Sequence, residues 1–460
     1  MGPINLVKKG LLKRHAARSG VLSQRRIACL MLMLLTVLAL AAGAAGAAGL
    51  ELNDPDAYPG YTLFSPMGDT NTYLIDNNGN LAHTWASSHR PGLAAYLLED
   101  GRLLRAANNG NHSVFSAGGA GGRVQMIGWD GSVSWDFVYS GDTYHSHHDV
   151  AYLPGGNVLL IAWEYKSAAE AEAAGRNPGL LSQGALWPDT IVEVRPDGAN
   201  GGEVVWIWRV WDHLVQDYDG SKPNFGTVAD RPELIDLNHA TGRAGADWTH
   251  INSVAYNPEL DQILLSVHGF NEIWVIDHST TSEEAAGHSG GRYGKGGDIL
   301  YRWGNPQAYG AGGADDQKLY GQHDANWIDP GSPGAGDILI YNNGVMRPEG
   351  MYASVEQITP PLNADGSYAG DGRAFGPEGT TWSYKADAYS RSISGAQRLP
   401  NGNTLICVGE SGTFIEVNSD GQQVWRYVNP MSGSGPQGGN PVFKVRRYGT
   451  DYSGLAGRGL

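Results

Sequence analysis

Cysteine is almost absent from this chain: Cys29 and Cys407 are the two it has. Cys29 precedes an apolar N-terminal run, so the rest of the protein cannot close an internal disulfide. Cys407 sits inside the apolar stretch 403–408 and reads as core filling. Acidic residues are missing from the first 50 positions, which carry Lys8, Lys9, Lys13, Arg14, Arg18, Arg25 and Arg26. The remainder therefore holds 25 basic against 47 acidic residues, and a net charge of −22 sets it against binding nucleic acid. No glycine-rich turn follows a strand and opens a helix, so no nucleotide or other cofactor is expected. The 66 glycines show no three-residue period, which excludes collagen.

What is present begins with residues 27–50, 24 positions without a charge behind that basic lead. Such a segment is an export signal or a membrane anchor. The expected organisation is thus residues 1–50 as a basic segment with signal or anchor, and residues 51–460 as one folded domain on the periplasmic or outer side of the cytoplasmic membrane. Small residues Ala42, Ala44, Ala45 and Ala47 allow cleavage, and the length also allows an uncleaved span.

The folded part repeats itself. A Gly or Asp followed by a short β-rich run recurs six times, opening at Gly60, Gly101, Gly156, Asp261, Gly336 and Gly402. Most copies lead to a second strand and then toward a tryptophan, with Asp130-Gly131, Asp197-Gly198 and Asp420-Gly421 making tight reversals. Trp85, Trp135, Trp206, Trp303, Trp382 and Trp425 supply one indole per copy. Six such units at irregular spacing predict an all-β, six-bladed propeller. The N-terminal unit lacks the strand that precedes Gly156 in a later one. The segment 442–448 is expected to supply it, closing the ring by pairing the N- and C-terminal strands. Short helices are expected near 167–176 and 281–286.

Histidine marks the start of three inner strands: His147-His148-Asp149, His250 in Trp-Thr-His-Ile-Asn-Ser, and His323-Asp324. Inner strands of a propeller converge on the axis, so these histidines, about 75 to 100 positions apart, can meet there. A metal set is not expected, because His147 and His148, as strand neighbours, should point apart.

These three phrases, with the stretch 393–403 that reads Ile-Ser-Gly-Ala-Gln-Arg-Leu-Pro-Asn-Gly-Asn, resemble the bacterial aryl-sulfate sulfotransferase family over residues 58–452. The resemblance implies a secreted or periplasmic six-bladed propeller that moves a sulfuryl group from an aryl sulfate donor to a phenolic acceptor through sulfohistidine, without a nucleotide sulfate donor. Carried over residue by residue, His323 is the nucleophile, His148 (with His147 as its adjacent rival) and His250 accompany it, and Asn252 matches the family's asparagine. At the family's substrate-binding arginine this chain has His268. Two other function classes fit parts of the sequence: a non-catalytic propeller binding an envelope partner, and a metal-dependent enzyme built on the same histidines.

Overall fold

The structure, a computed structural model, describes residues 48–460 apart from 243–244, 371–373 and 432–439. The signal or anchor reading falls, up to residue 47, outside the described residues. Among them, six antiparallel sheets of four or five strands form the ring, and two further two-stranded sheets lie in connecting segments.

Each repeated phrase becomes the second strand of a blade: Gly60–Pro66, Leu103–Asn108, Val158–Glu164, Gln262–Val267, Ile338–Asn342 and Thr404–Val408. These strands are buried on both faces, which is why they read as continuous Leu, Ile and Val runs. The innermost strands of blades 2 to 6 are Pro91–Leu97, Tyr144–Tyr152, Ile251–Asn257, His323–Trp327 and Gly395–Arg398. Apolar clusters fill the gaps between blades. One joins Leu104, Val124 and Met126 of blade 2 to Val150, Leu160 and Val192 of blade 3.

Closure follows the expected route. Val442–Gly449 lies inside Gly60–Pro66 as the innermost strand of blade 1, in antiparallel register from Gly60 opposite Gly449 to Pro66 opposite Val442. A second tie was not anticipated. Gly49–Asn53 adds a fifth, outermost strand to blade 6 by pairing with Gln423–Val428. Both chain ends therefore cover a sheet edge of a blade to which the other end of the chain contributes.

Of the six repeat tryptophans, Trp85, Trp135, Trp206, Trp303 and Trp382 stand on outermost strands and Trp425 on the fourth strand of blade 6, just inside Gly49–Asn53. Trp135 Nε1 donates to Gly201 O at 2.8 Å, Trp206 to Thr280 Oγ1 at 3.1 Å, Trp303 to Pro377 O at 2.8 Å, and Trp425 to Asn77 O at 2.7 Å. Trp382 instead takes the Arg398 guanidinium over its ring at 4.7 Å. An indole suits this position because its ring fills the widening gap while, in four of the six, its N–H reaches an acceptor at the rim. The expected helices form at Ala168–Ala173 and Ser282–Ala285, each opened by a capping box from Ser167 or Thr281. No helix among the described residues is long and apolar enough to cross a membrane.

Candidate functional site

At one level of the ring the inner strands break their alternation. His148, His250 and Asp324 adopt left-handed backbone, with φ of 56°, 49° and 52°, and pairing register slips beside each of them. Such a bulge re-aims a side chain that a regular strand would send elsewhere. The result is an arc of rings. His147 and His148 lie 5.0 Å apart between centroids, His148 and His250 4.6 Å, His250 and His268 5.3 Å, and His268 and His323 5.3 Å. Phe443, on the closing strand, faces His148 at 6.0 Å and His323 at 6.3 Å.

The expectation that His147 and His148 point apart is corrected here, because their Nδ1 atoms are 2.8 Å from each other. The physical reason is the positive φ at His148, which cancels the two-residue alternation on which that expectation rested. His147 Nε2 also meets Asp189 Oδ1 at 2.8 Å, while Asp189 Oδ2 accepts from Thr249 Oγ1 at 2.7 Å and Ile251 N at 2.6 Å. A carboxylate on His147 Nε2 fixes the proton there. The Nδ1 pair then shares one proton between His147 and His148, which lets His148 act as donor or acceptor.

His250 is oriented in the same manner. Its Nδ1 donates to Asp247 Oδ2 at 2.6 Å, and Asp247 Oδ1 accepts from Trp163 Nε1 at 3.0 Å. Trp163 in turn stacks on His147 with ring centroids 4.0 Å apart. For His323, Nδ1 donates to Asn343 Oδ1 at 2.8 Å, and Nε2 accepts from Ile393 N at 3.2 Å. Those two bonds select the tautomer whose lone pair is on Nε2. Asn343 is itself held by donating to Ser390 O and Ile393 O, both at 3.0 Å.

Asn252 is fully buried and donates to Gln322 O at 2.8 Å, so it braces the chain one residue before His323. His268 opens a short 3-10 turn and stands between His250 and His323 in the arc. The glycine run 118–122, which reads as plain loop, covers His148: Gly119 has φ of 88°, its O accepts from His148 N at 2.9 Å, and a Cβ there would collide with the His148 ring. Among the aromatic residues close in sequence to these histidines, Trp163 joins the arc, whereas Trp248 packs in the core against Phe270. Tyr144 pairs with Tyr139, and Tyr165 packs against the cluster around Phe115.

Directly beneath the arc lies a buried ionic layer that sequence reasoning missed. Lys444 Nζ bonds Asp149 Oδ2 at 2.7 Å and Asp324 Oδ1 at 3.0 Å, and Arg446 grips both oxygens of Asp324 at 2.7 and 2.9 Å. Tyr96 OH donates to Asp149 Oδ1 at 2.8 Å. Burial alone would raise the Asp324 carboxyl, but Arg446 and Lys444 outweigh it and hold the group below the usual carboxylate range. Burial, helped by Asp149, pushes the Tyr96 phenol well up. The one available signal was the pattern itself: Asp follows His at both 148–149 and 323–324, and three cations, Lys444, Arg446 and Arg447, interrupt the closing strand, the first two of them facing this layer. A cavity of about 410 Å³ opens beyond this layer, lined by Tyr96, Tyr152, Tyr256, Trp327 and Tyr448 but by none of the arc histidines. Cys407 is buried, and burial drives its thiol upward, as core filling requires.

Fold and geometry together define a propeller with an imidazole-lined site over a buried ionic layer. The chain belongs to the arylsulfotransferase family, whose family model matches residues 53–432. It is a sulfotransferase that uses no nucleotide sulfate donor, and aryl sulfate donors with phenolic acceptors are the chemistry of that family. Members generally work in the periplasm or outside the cell. No curated protein matches the chain. Similar solved structures include a protein of unknown function from Bacteroides caccae, at 12% identity and a TM-score of 0.45, covering 85% of this chain and 98% of that one. Virginiamycin B lyase from Staphylococcus aureus is similar at 8% identity and a TM-score of 0.39, covering 84% of this chain and 89% of that one.

Proposed function

We propose that the sulfuryl group passes through His323 in two displacements. In the first, the Nε2 lone pair of His323, released from the Ile393 N–H, forms the N–S bond while the S–O(aryl) bond breaks, and the electron pair leaves on the phenolate oxygen. In the second, a phenol oxygen attacks the sulfur of sulfohistidine, its proton goes to a neighbouring imidazole, and the N–S pair returns to His323. The observation that supports this role most directly is the pair of bonds that leaves the His323 lone pair on Nε2, with Asn343 Oδ1 facing Nδ1. Asn343 steadies the positive ring that forms when sulfur is attached.

His250, oriented by Asp247, and His148, coupled to His147 and Asp189, are suited to donate to sulfuryl oxygens or to protonate the leaving oxygen. His268 stands between His250 and His323, where a ring in its protonated form binds sulfate by charge. It lacks the planar two-pronged grip of arginine, so donor binding here depends on its protonation. Asn252 acts through the backbone it braces at Gln322. Residues 1–50 deliver this domain beyond the cytoplasmic membrane, as a cleaved signal or an anchor.

Brief mixing with an aryl sulfate, without acceptor, then denaturing mass spectrometry, tests the assignment. One added sulfuryl group should map to His323 and vanish when a phenol is supplied. His323→Ala should lose both adduct and transfer, and His250→Ala should slow transfer by about 10²-fold while keeping the fold. Transfer at an undiminished rate in His323→Ala would refute the role given to that residue.

A further inference from the structure

On the flank of the ring, away from the inner strands, a second group of metal-ligating side chains meets. His213 follows the outermost strand of blade 3, Gly201–Arg209, and the short turn Val210–Asp212. His288 and Asp298 belong to the segment between the third strand of blade 4, Glu272–Asp277, and its outermost strand, Tyr301–Trp303. His213 Nδ1 lies 2.9 Å and His288 Nδ1 2.7 Å from the same atom, Asp298 Oδ1. One donor atom from each residue falls within 4.8 Å of the other two.

The other nitrogen of His213 restricts what these atoms can be. His213 Nε2 is 2.8 Å from Ala285 O, a carbonyl that can only accept, so Nε2 carries a proton. A neutral His213 then turns its Nδ1 lone pair toward a carboxylate oxygen, and two lone pairs repel unless a positive charge stands between them. Either a second proton or a metal ion meets that need. The surroundings favour the ion. A ligating histidine characteristically anchors its remaining N–H on a carbonyl, as His213 does on Ala285. Trp208 stacks along the His213 ring at 5.7 Å and 9°, and donates from Nε1 to Gly297 O at 2.7 Å, which holds both the ring and the loop. The His213 and Asp298 side chains are buried, whereas that of His288 is 61% exposed, which leaves one side open for water as a fourth ligand.

We propose that His213, His288 and Asp298 bind one divalent transition-metal ion, zinc by ligand type. Two imidazole nitrogens and one carboxylate oxygen suit zinc, whereas magnesium and calcium prefer oxygen throughout. The bound ion ties residues 287–297, six of which are glycine, to the end of blade 3. Ordering so glycine-rich a loop costs more backbone entropy than ordering an ordinary one, and metal ligation offsets that cost. The site stands apart from the histidine arc and takes no part in sulfuryl transfer.

The full chain, stripped with chelator and titrated with zinc chloride against a chromophoric competitor, should bind one equivalent below about 1 μM, with the melting temperature rising as zinc is added. His288→Ala should weaken that equivalent at least about 100-fold and abolish the thermal shift while keeping the fold, since the side chain it truncates is exposed. Asp298→Asn, which keeps the shape, should weaken binding too. His323→Ala should retain the equivalent, since the arc is elsewhere. Failure of the wild type to bind, or equal binding by His288→Ala and Asp298→Asn, overturns the proposal and leaves Asp298 as a proton-bridged clamp between two imidazoles.

Discussion

Replacing Lys444 by methionine removes one charge from the layer beneath the histidines at nearly constant volume. Lys444 is the only cation shown within bonding distance of Asp149 among the described residues, at 2.7 Å, and its side chain is 2% exposed. Asp149 would keep its donors Tyr96 OH, Val150 N and Val254 N but would sit as a buried carboxylate with no cation in direct contact, Arg446 acting on it only from a distance. Breaking one side of a buried pair costs about 3–5 kcal/mol, much of it the desolvation penalty of the ion left behind. Unfolding entropy near 2.1 cal/mol/K per residue, for a folded body on the order of 400 residues, converts this to a melting-point drop of roughly 4–6 °C. Asp149→Asn in the same chain should recover much of the loss, giving a coupling energy on the order of 2 kcal/mol in a double-mutant cycle. Calorimetry of the four proteins at neutral pH measures both quantities. A Lys444→Met protein melting within about 1 °C of wild type, with additive double-mutant effects, would show that the layer carries no such load.

Three further outcomes follow from particular contacts. Gly119→Ala should displace His148, lowering kcat on the order of tenfold and stability by about 1–3 kcal/mol, whereas Gly118→Ala, with nothing near its added methyl, should be neutral; equal behaviour of the two in assay and melt would count against the packing of that loop. Deleting residues from 442 onward strips blade 1 of its innermost strand and should yield aggregated protein by light scattering, while a soluble truncation with an unchanged cooperative melt would contradict the closure. Asp324 is held below the usual carboxylate range, so its stabilisation is fully present above about pH 4 and disappears as pH falls through its lower folded value; thermal melts of Asp324→Asn should accordingly approach those of wild type toward pH 3, and a gap independent of pH would refute that linkage.

Much of the architecture was legible because propeller blades are local objects. Apolar runs of strand length, Asp-Gly turns and one tryptophan per unit lie within a few dozen residues of each other, so blade count and the outer-strand indoles could be read directly. Even the closure was readable, since a missing strand at one end and a spare one at the other are both visible in the pattern. The fifth strand at Gly49–Asn53 was not, because its short sequence resembles the end of the export segment.

For the site, the residue types and their positions at strand starts pointed to His148, His250 and His323, and the structure brings these together with His147 and His268. Sequence alone could not show that His147 and His148 face each other, because alternation fails only where a left-handed residue interrupts the strand. Nor could it supply partners. Asp189 meets His147 across 42 residues, Asp324 meets Lys444 across 120, and Asp149 meets Lys444 across 295. Local periodicity determined the strands, the turns and the blade count. Only the closed ring, by setting inner strands from distant blades side by side, decided which nitrogens face one another and which charges lie beneath them.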